Sequence, residues 1–339
     1  MDLRDRQQVT IYEVAQRVGV SIATVSRALR GSGQVAGETR RRVLEAAEEL
    51  QFRPSRLGQS LAEGRHAANG IVFPDLSGPY YAEVILGYEE VAAELGSSVL
   101  ILATHGRSGP EDKVLDLARR VDGMAIMGRT VPDDVVARVA AAGVPTVLLA
   151  RPAVSELDTI TTDNRRTARE LVAHLLAHGY QRFAYLGDPD ESPDVTDRYG
   201  AVREAVVAAG HRSPRAIRCA FDVPAGQKAA RRALARSPRP EVLVCANDEV
   251  ALGALTSAYE SGLSVPDDVA IVGWDDVMAA RYAGLTTVRQ PMRELGATAA
   301  RWLQDRIVGS REPARRHVLP TQLVLRTSCG PHPGEMEVS

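Results

Sequence analysis

The sequence predicts a multidomain fold: an all-α helix-turn-helix head, then an α/β body of two lobes, each a doubly wound parallel sheet. Three observations support it. Residues 10–29, TIYEVAQRVGVSIATVSRAL, carry two short amphipathic helical patterns broken by a glycine. From Gly70 onward, short apolar runs alternate with helical stretches in two successive series. At 339 residues, 45% apolar and 25% charged, the chain is long enough for two or three domains with full cores, which excludes disordered and fibrous classes.

In the head, Thr10 is a good N-cap, and Ile11, Val14, Ala15 and Val18 follow at i, i+3, i+4 and i+7, a stripe that one helix face buries. Gly19 ends that helix, Val20 plugs the turn and Ser21 caps a second helix whose Val25, Ala28 and Leu29 face inward. Ile22, Ala23, Thr24, Ser26, Arg27 and Arg30 are left outside, a face that is small, hydroxyl-rich and basic. DNA recognition needs hydroxyls and helix N-termini for phosphates, with a few side chains near the start of the second helix reaching base edges. Arg27 can bond guanine twice, whereas Ile22 and Ala23 offer apolar contact such as that to a thymine methyl. The competing explanation is a helical hairpin with a solvated polar face. Residues 1–62 hold ten arginines against seven acidic residues, net +3, so the rest sums to −5. A basic head on an acidic body fits a nucleic-acid partner.

The combination Val14-Ala15-x-x-x-Gly19-Val20-Ser21-x-x-Thr24-Val25-Ser26-Arg27 resembles the DNA-binding signature of the LacI/GalR (lactose repressor) family. The resemblance continues through Gln34-Val35-Ala36-Gly37-Glu38-Thr39-Arg40, where a third helix would begin, and through residues 46–54, AAEELQFRP. It implies a DNA-binding domain over 1–53 that contacts a double-stranded operator through Thr10, Ser21, Ile22, Ala23, Thr24, Ser26, Arg27 and Arg30. Residues 54–66 would be a hinge helix, with Leu61 aligned to the leucine that wedges into the minor groove at the central base step. Gly58 stands where the family usually has alanine and should weaken that helix by about 0.5–1 kcal/mol. From its residues alone, this connector could equally be featureless.

In the body, residues 71–74, 99–103, 123–127 and 146–150 read as buried parallel strands, and 183–187, 216–220, 242–246 and 269–273 form a second series. Two such lobes in tandem make a cleft, and ligands bind there beyond the carboxyl ends of the strands. Asp163-Asn164, Arg198, Asn247-Asp248 and Asp275 lie near those ends and offer donors and acceptors to a polyhydroxylated ligand. Each alone could be a helix N-cap or turn residue.

The family resemblance extends over Cys245-Ala246-Asn247-Asp248, Val265-Pro266-x-Asp268-Val269, Val272-Gly273-Trp274-Asp275-Asp276 and Leu285-Thr286-Thr287-Val288-x-Gln290-Pro291. It implies a periplasmic-binding-protein-like effector and dimerisation region over 67–330. Lobe 1 would take about 67–161 and 289–319, lobe 2 about 162–288 and 320–330, with a tail at 331–339 and crossings near 286–290 and 319–322. It aligns Arg198, Asn247 and Asp275 with the usual effector contacts and places Asp163 close to another. Tyr80 and Tyr81 would wall the pocket and Phe221 would stack on the ligand; the alternative is that all three are core aromatics. Arg198-Tyr199-Gly200-Ala201 shifts a glycine of the family's R-x-x-G by one position, residues 187–197 (GDPDESPDVTD) are unusually acidic, and Arg30 replaces a common asparagine.

These readings imply a transcriptional regulator, most often a repressor in this family, acting as a homodimer on a palindromic operator under control of a small molecule. A sugar is the first expectation for that molecule and a nucleobase or nucleoside the alternative. A transporter's solute-binding protein shares the two-lobed core, but the head and the absence of an apolar leader in MDLRDRQQVT argue against it. No apolar stretch suggests a membrane span, so the cytoplasm is the expected location. No G-x-S-x-G, Walker loop, metal-spaced histidine cluster or G-x-G-x-x-G is evident, so neither enzymatic activity nor a cofactor is expected. Cys219, Cys245 and Cys329 are widely spaced, which suggests reduced structural thiols and no metal site. The polar tail lacks a leucine-rich helix, favouring a dimer over a tetramer.

Overall fold

The computed structural model describes residues 9–31, 35–52 and 66–331, with only the backbone given at Arg30. Two units divide the chain after Ala67. Among its described residues the first contains three helices, α1 (Ile11–Val18), α2 (Ile22–Arg30) and α3 (Gly37–Glu49). Gly19 ends α1 with φ +73°, a left-handed conformation that glycine adopts without a Cβ penalty. Ser21 Oγ accepts the Thr24 N–H at 3.2 Å and starts α2. Val14, Val25, Ala28 and Val43 are almost wholly buried in the centre of this unit, with Val20 packed beside them. The turn residue therefore belongs to the same small core as the helices it joins.

The second unit holds two parallel sheets. In lobe 1 the strand order is β11-β5-β4-β3-β1-β2, built from β1 (Ala68–Phe73), β2 (Ser98–Ala103), β3 (Gly123–Met127), β4 (Thr146–Leu149), β5 (Asp158–Thr162) and β11 (Arg316–Leu319). Helices α4 (Pro79–Glu94) and α12 (Met292–Ile307) cover one face, and α5 (Pro110–Ala118) and α6 (Asp133–Ala141) the other. In lobe 2 the order is β7-β6-β8-β9, from β6 (Phe183–Leu186), β7 (Ala216–Ile217), β8 (Val242–Cys245) and β9 (Ala270–Val272). On one side lie α7 (Asn164–Ala177) and α8 (Pro193–Ala208), on the other α9 (Val223–Leu234) and α10 (Asp248–Glu260). A short helix α11 (Met278–Tyr282) leads to β10 (Thr287–Arg289), which pairs antiparallel with β12 (Gln322–Val324).

One strand expectation needs correction. β5 was not foreseen, because Asp-Thr-Ile-Thr-Thr is polar; its Asp158 is nevertheless 1% exposed, held by Arg306 at 2.7 Å and Arg315 at 2.8 Å. These partners hold the Asp158 carboxyl down at about 2 against the opposing effect of burial. Residues 319–322, where a crossing was expected, hold the junction of β11 and β12, since Pro320 cannot continue a ladder. The chain passes between the lobes three times: after β5, after β10, and between β11 and β12.

Candidate functional site: a recognition helix and an interlobe cavity

In the head, Ser21, Ile22, Ala23 and Arg27 are exposed and Thr24 and Ser26 are half-buried, so α2 presents its small polar face outward. Ile22 keeps 39% of its surface exposed, a notable fraction for a large aliphatic side chain on so small a domain. The Arg27 Nε donates to the Ala23 carbonyl at 3.1 Å, laying the side chain along the first turn of α2. Thr10 opens α1, where its backbone N–H and hydroxyl both donate to Glu13 at 2.6 and 3.0 Å. Tyr12, 67% exposed on α1, is a surface aromatic that sequence reasoning did not single out. The Arg30 side chain, Leu61, Gly58 and nearly all of the expected hinge lie outside the described residues.

In the body, a cavity of about 690 Å³ opens between the lobes where the strands end. Tyr80, Tyr81, Arg198, Phe221, Asn247 and Asp275 all line it. Asp163 does not. It sits in the first interlobe crossing, where its carboxylate caps α7 through Arg166 N at 3.1 Å and its carbonyl accepts from Thr321 Oγ1 at 2.8 Å. The sequence placed it near a strand end correctly in one dimension, but its side chain turns to the helix it caps.

Arg198, 5% exposed, is the central cation. Its Nε donates to Asn164 Oδ1 at 2.7 Å and its Nη1 to the Ala246 carbonyl at 2.9 Å, while the guanidinium stacks 4.6 Å from the centre of the Trp274 ring. Asp194, one turn earlier on α8, lies 4.0 Å from Nη2 and bonds Asn164 Nδ2 at 3.0 Å. Asp275 follows β9 with φ +117°, a strained backbone for a residue with a side chain. It is held there because its N–H donates to the Val288 carbonyl at 2.8 Å and its Oδ1 accepts from Gln290 Nε2 at 2.6 Å. Gln290 Oε1 in turn accepts from Thr162 Oγ1 at 3.0 Å. Both charged groups are thus wired to residues at the interlobe crossings.

Burial raises the pKa of Asp275 and Asp194, opposed in each case by Arg198. Burial also lifts the Tyr80 hydroxyl, reinforced by those two carboxylates. Asn247 caps α10 through Val250 N at 3.0 Å and spends its amide on the Phe221 carbonyl at 3.2 Å and Glu249 at 2.9 Å. Asp248 turns away from the cavity: it accepts from Thr287 Oγ1 at 2.6 Å and Val277 N at 2.9 Å, and burial pushes its pKa up to about 7. At the mouth, Arg129 of lobe 1 donates to the Asp190 carbonyl of lobe 2 at 3.1 Å, and Arg218 pairs with Asp188 and Asp190. Arg218 thereby partly neutralises the acidic loop, and Arg129 ties its backbone to lobe 1.

Asp194, Glu249 and Gln290 also line the cavity and were missed as individual contacts. The Asp194–Arg198 spacing of i, i+4 on one helix was a usable signal. Gln290 stood in the family-like stretch Val288-x-Gln290-Pro291, but no local pattern linked it to Asp275, which only the crossing brings it to meet.

Residues 10–55 match the model of bacterial regulatory proteins of the lacI family, and residues 172–329 that of a periplasmic binding protein-like domain. The ribose operon repressor of Halalkalibacterium halodurans is 32% identical over 321 residues, covering 94% of this chain and 96% of that one. The lac repressor dimer bound to operator and an anti-inducer aligns with 96% of this chain and all of its own, at 30% identity and a TM-score of 0.85. A complex of the transcriptional regulator CelR with cellobiose aligns with 94% and 99% of the two chains, at 32% identity and a TM-score of 0.71. With a capped helix-turn-helix in one unit, a two-lobed body in the other and relatives along nearly its whole length, the chain belongs to the LacI family and is a transcriptional regulator rather than an enzyme.

Proposed function

We propose that this regulator is a repressor that binds a palindromic operator as a homodimer and is controlled by an uncharged sugar in the interlobe cavity. The observation that carries this reading is the cavity itself, which sets one buried, well-anchored arginine and a buried carboxyl among aromatic side chains at the strand ends. Arg198 and Asp275 would bond sugar hydroxyls, Asn247 would turn its amide to the ligand, Phe221 would stack on the ring, and Tyr80 and Tyr81 would close the lobe 1 side. Asp163 acts instead through the crossing that it caps.

Seven acidic residues and three arginines line the cavity. A phosphorylated or carboxylated ligand would meet net like charge there, whereas a neutral polyol would meet acceptors and donors. The cellobiose complex of a relative supports a sugar.

On DNA, Thr10, Ser21, Thr24, Ser26 and Arg30 would hold phosphates, Ile22, Ala23 and Arg27 would read base edges, and Leu61 would wedge the minor groove. Pairing of two subunits on two half-sites follows from operator symmetry, and the lac repressor is such a dimer on its operator. No helix among the described residues is long and apolar enough to cross a membrane. A DNA partner puts the protein in the cytoplasm.

The test is operator binding by fluorescence anisotropy against a panel of neutral sugars, sugar phosphates and nucleosides. One neutral sugar should shift operator affinity by about 5–150-fold. A shift produced only by a phosphorylated sugar or a nucleoside would overturn the ligand assignment, and absence of any protected palindrome in genomic DNA would overturn the operator.

A further inference from the structure

His174 on α7 and His178, the C-cap of that helix, stand four residues apart near the last described turn, Thr327–Cys329. Nε2 of His174 lies 3.5 Å from Cys329 Sγ, and the two imidazoles meet edge to face with centroids 4.7 Å apart. One ligand atom from each of the three residues falls within 4.8 Å of the others, the one such cluster among the described residues. In a tetrahedral centre with Zn–N of about 2.0–2.1 Å and Zn–S of about 2.3 Å, an N and an S ligand sit about 3.5 Å apart. The His174–Cys329 separation already has that value, and a ring nitrogen of His178 lies within 4.8 Å of both ligand atoms.

We propose that His174, His178 and Cys329 form a binding site for a borderline-soft divalent cation, with Zn²⁺ the best match to two imidazoles and a thiolate. Zinc favours this donor set and accepts water at a fourth corner; hard cations such as Mg²⁺ select carboxylates and carbonyls. Cys329 gives up its thiol proton to solvent as it ligates, so the affinity falls as the pH is lowered.

The surroundings are arranged to support the ligands. Thr286 Oγ1 lies 3.1 Å from Cys329 Sγ, and the Tyr180 ring stacks on His178 with planes 28° apart while its hydroxyl donates to the Cys329 carbonyl at 3.2 Å. A Cβ at residue 330 would stand 3.0 Å from His178 Nδ1, so Gly330 leaves that imidazole the room it needs. None of the three ligands lines the interlobe cavity. An ion here pins the turn that follows β12, after the final return from lobe 1, to the first helix of lobe 2.

The experiment titrates the untagged, chelator-treated full chain with Co²⁺ as a spectroscopic probe and then with Zn²⁺. One equivalent of Co²⁺ should give a thiolate-to-metal charge-transfer band, Zn²⁺ should displace it, and Zn²⁺ should raise the melting temperature of the body. Cys329→Ser should abolish the band, and His178→Gln should weaken binding by about 10-fold or more. Since Cys329 is fully buried and its variant could fail to fold, the half-buried His178 position keeps the test decisive. Co²⁺ bound without a charge-transfer band, or His178→Gln binding Zn²⁺ as tightly as the parent chain, would overturn the proposal and leave a plain thiol–imidazole hydrogen bond.

Discussion

Arg198 shows how a single residue serves fold and site together. Its Nε and Nη1 are committed to Asn164 and the Ala246 carbonyl, which leaves Nη2, near Asp194, as the edge with most capacity to spare for the cavity. Replacing it with methionine keeps the apolar stem over Trp274 but leaves Asp194 and Asp275 buried without a cation, and both carboxyls then take up protons. Sugar affinity measured by calorimetric titration should fall by about 100-fold or more, in line with truncation of one partner of a buried charge pair. An unchanged affinity would remove Arg198 from the site.

Asp248 makes a contrasting prediction about pH. Its folded pKa of about 7 lies above the ordinary 3.8, so the folded state binds a proton that the unfolded chain releases between those values. Stability contributed by this proton is full below about pH 4 and is lost as pH rises to about 7. Asp158, whose pKa is lowered to about 2, acts in the opposite direction and contributes fully only above about pH 4. In Asp248→Asn the carboxamide keeps an acceptor for Val277 N–H and turns its NH₂ to Thr287. Urea unfolding at about pH 5 and about pH 8 should show a smaller stability difference for the variant than for the parent. Equal differences would mean that Asp248 is ionised throughout.

At the scale of elements, each lobe locks one helix pair through glycines that bring backbones together. A Cβ on Gly296 of α12 would sit 2.0 Å from the Val84 carbonyl oxygen of α4, and one on Gly87 of α4 would sit 2.0 Å from the Arg293 carbonyl oxygen of α12. Gly226 and Gly253 play the same part between α9 and α10. Since neither helix backbone can yield without dragging its core side chains, Gly296→Ala should destabilise the body by about 1–3 kcal/mol through overpacking. Gly37, in α3 of the head, meets nothing within 4 Å and has no positive φ, so Gly37→Ala should be neutral or stabilising by up to about 1 kcal/mol. Chemical denaturation of the two variants checks both signs. The contrast also marks a limit of periodicity: all these glycines sit inside helical patterns, and only the neighbour's distance tells which one the fold requires.

For the whole molecule, the division into a small head and a large body predicts separable unfolding. The head rests on one core of fourteen partly or fully buried apolar residues, whereas the body holds four larger clusters spread over two lobes. A ligand that binds only the body stabilises it by about 2.7 kcal/mol at a hundred times its dissociation constant. Scanning calorimetry of the full chain should therefore show the body transition moving upward with sugar while the head transition stays in place. A single transition that moves as a unit would show that the two parts unfold together.

The sequence by itself determined the local patterns: the cap at Ser21, the turn at Gly19, the inward Val25 and Ala28, and the alternation of apolar runs with helices, because these depend on residues within a few positions of each other. It also brought out Asn247 and Asp275, since each lies near the end of an apolar run, and Arg198 through the family resemblance. Only the tertiary structure decided what depends on distant partners. β5 is polar in sequence and buried because Arg306 and Arg315 neutralise Asp158; Asp163 faces a helix terminus and not the cavity; Gln290 meets Asp275 only where the chain crosses between lobes; and Cys329 meets His174 only after the final return to lobe 2. Side-chain periodicity reports which face of an element is buried, but which charge, amide or thiol waits on the far side is set by long-range chain closure, and no local pattern encodes it.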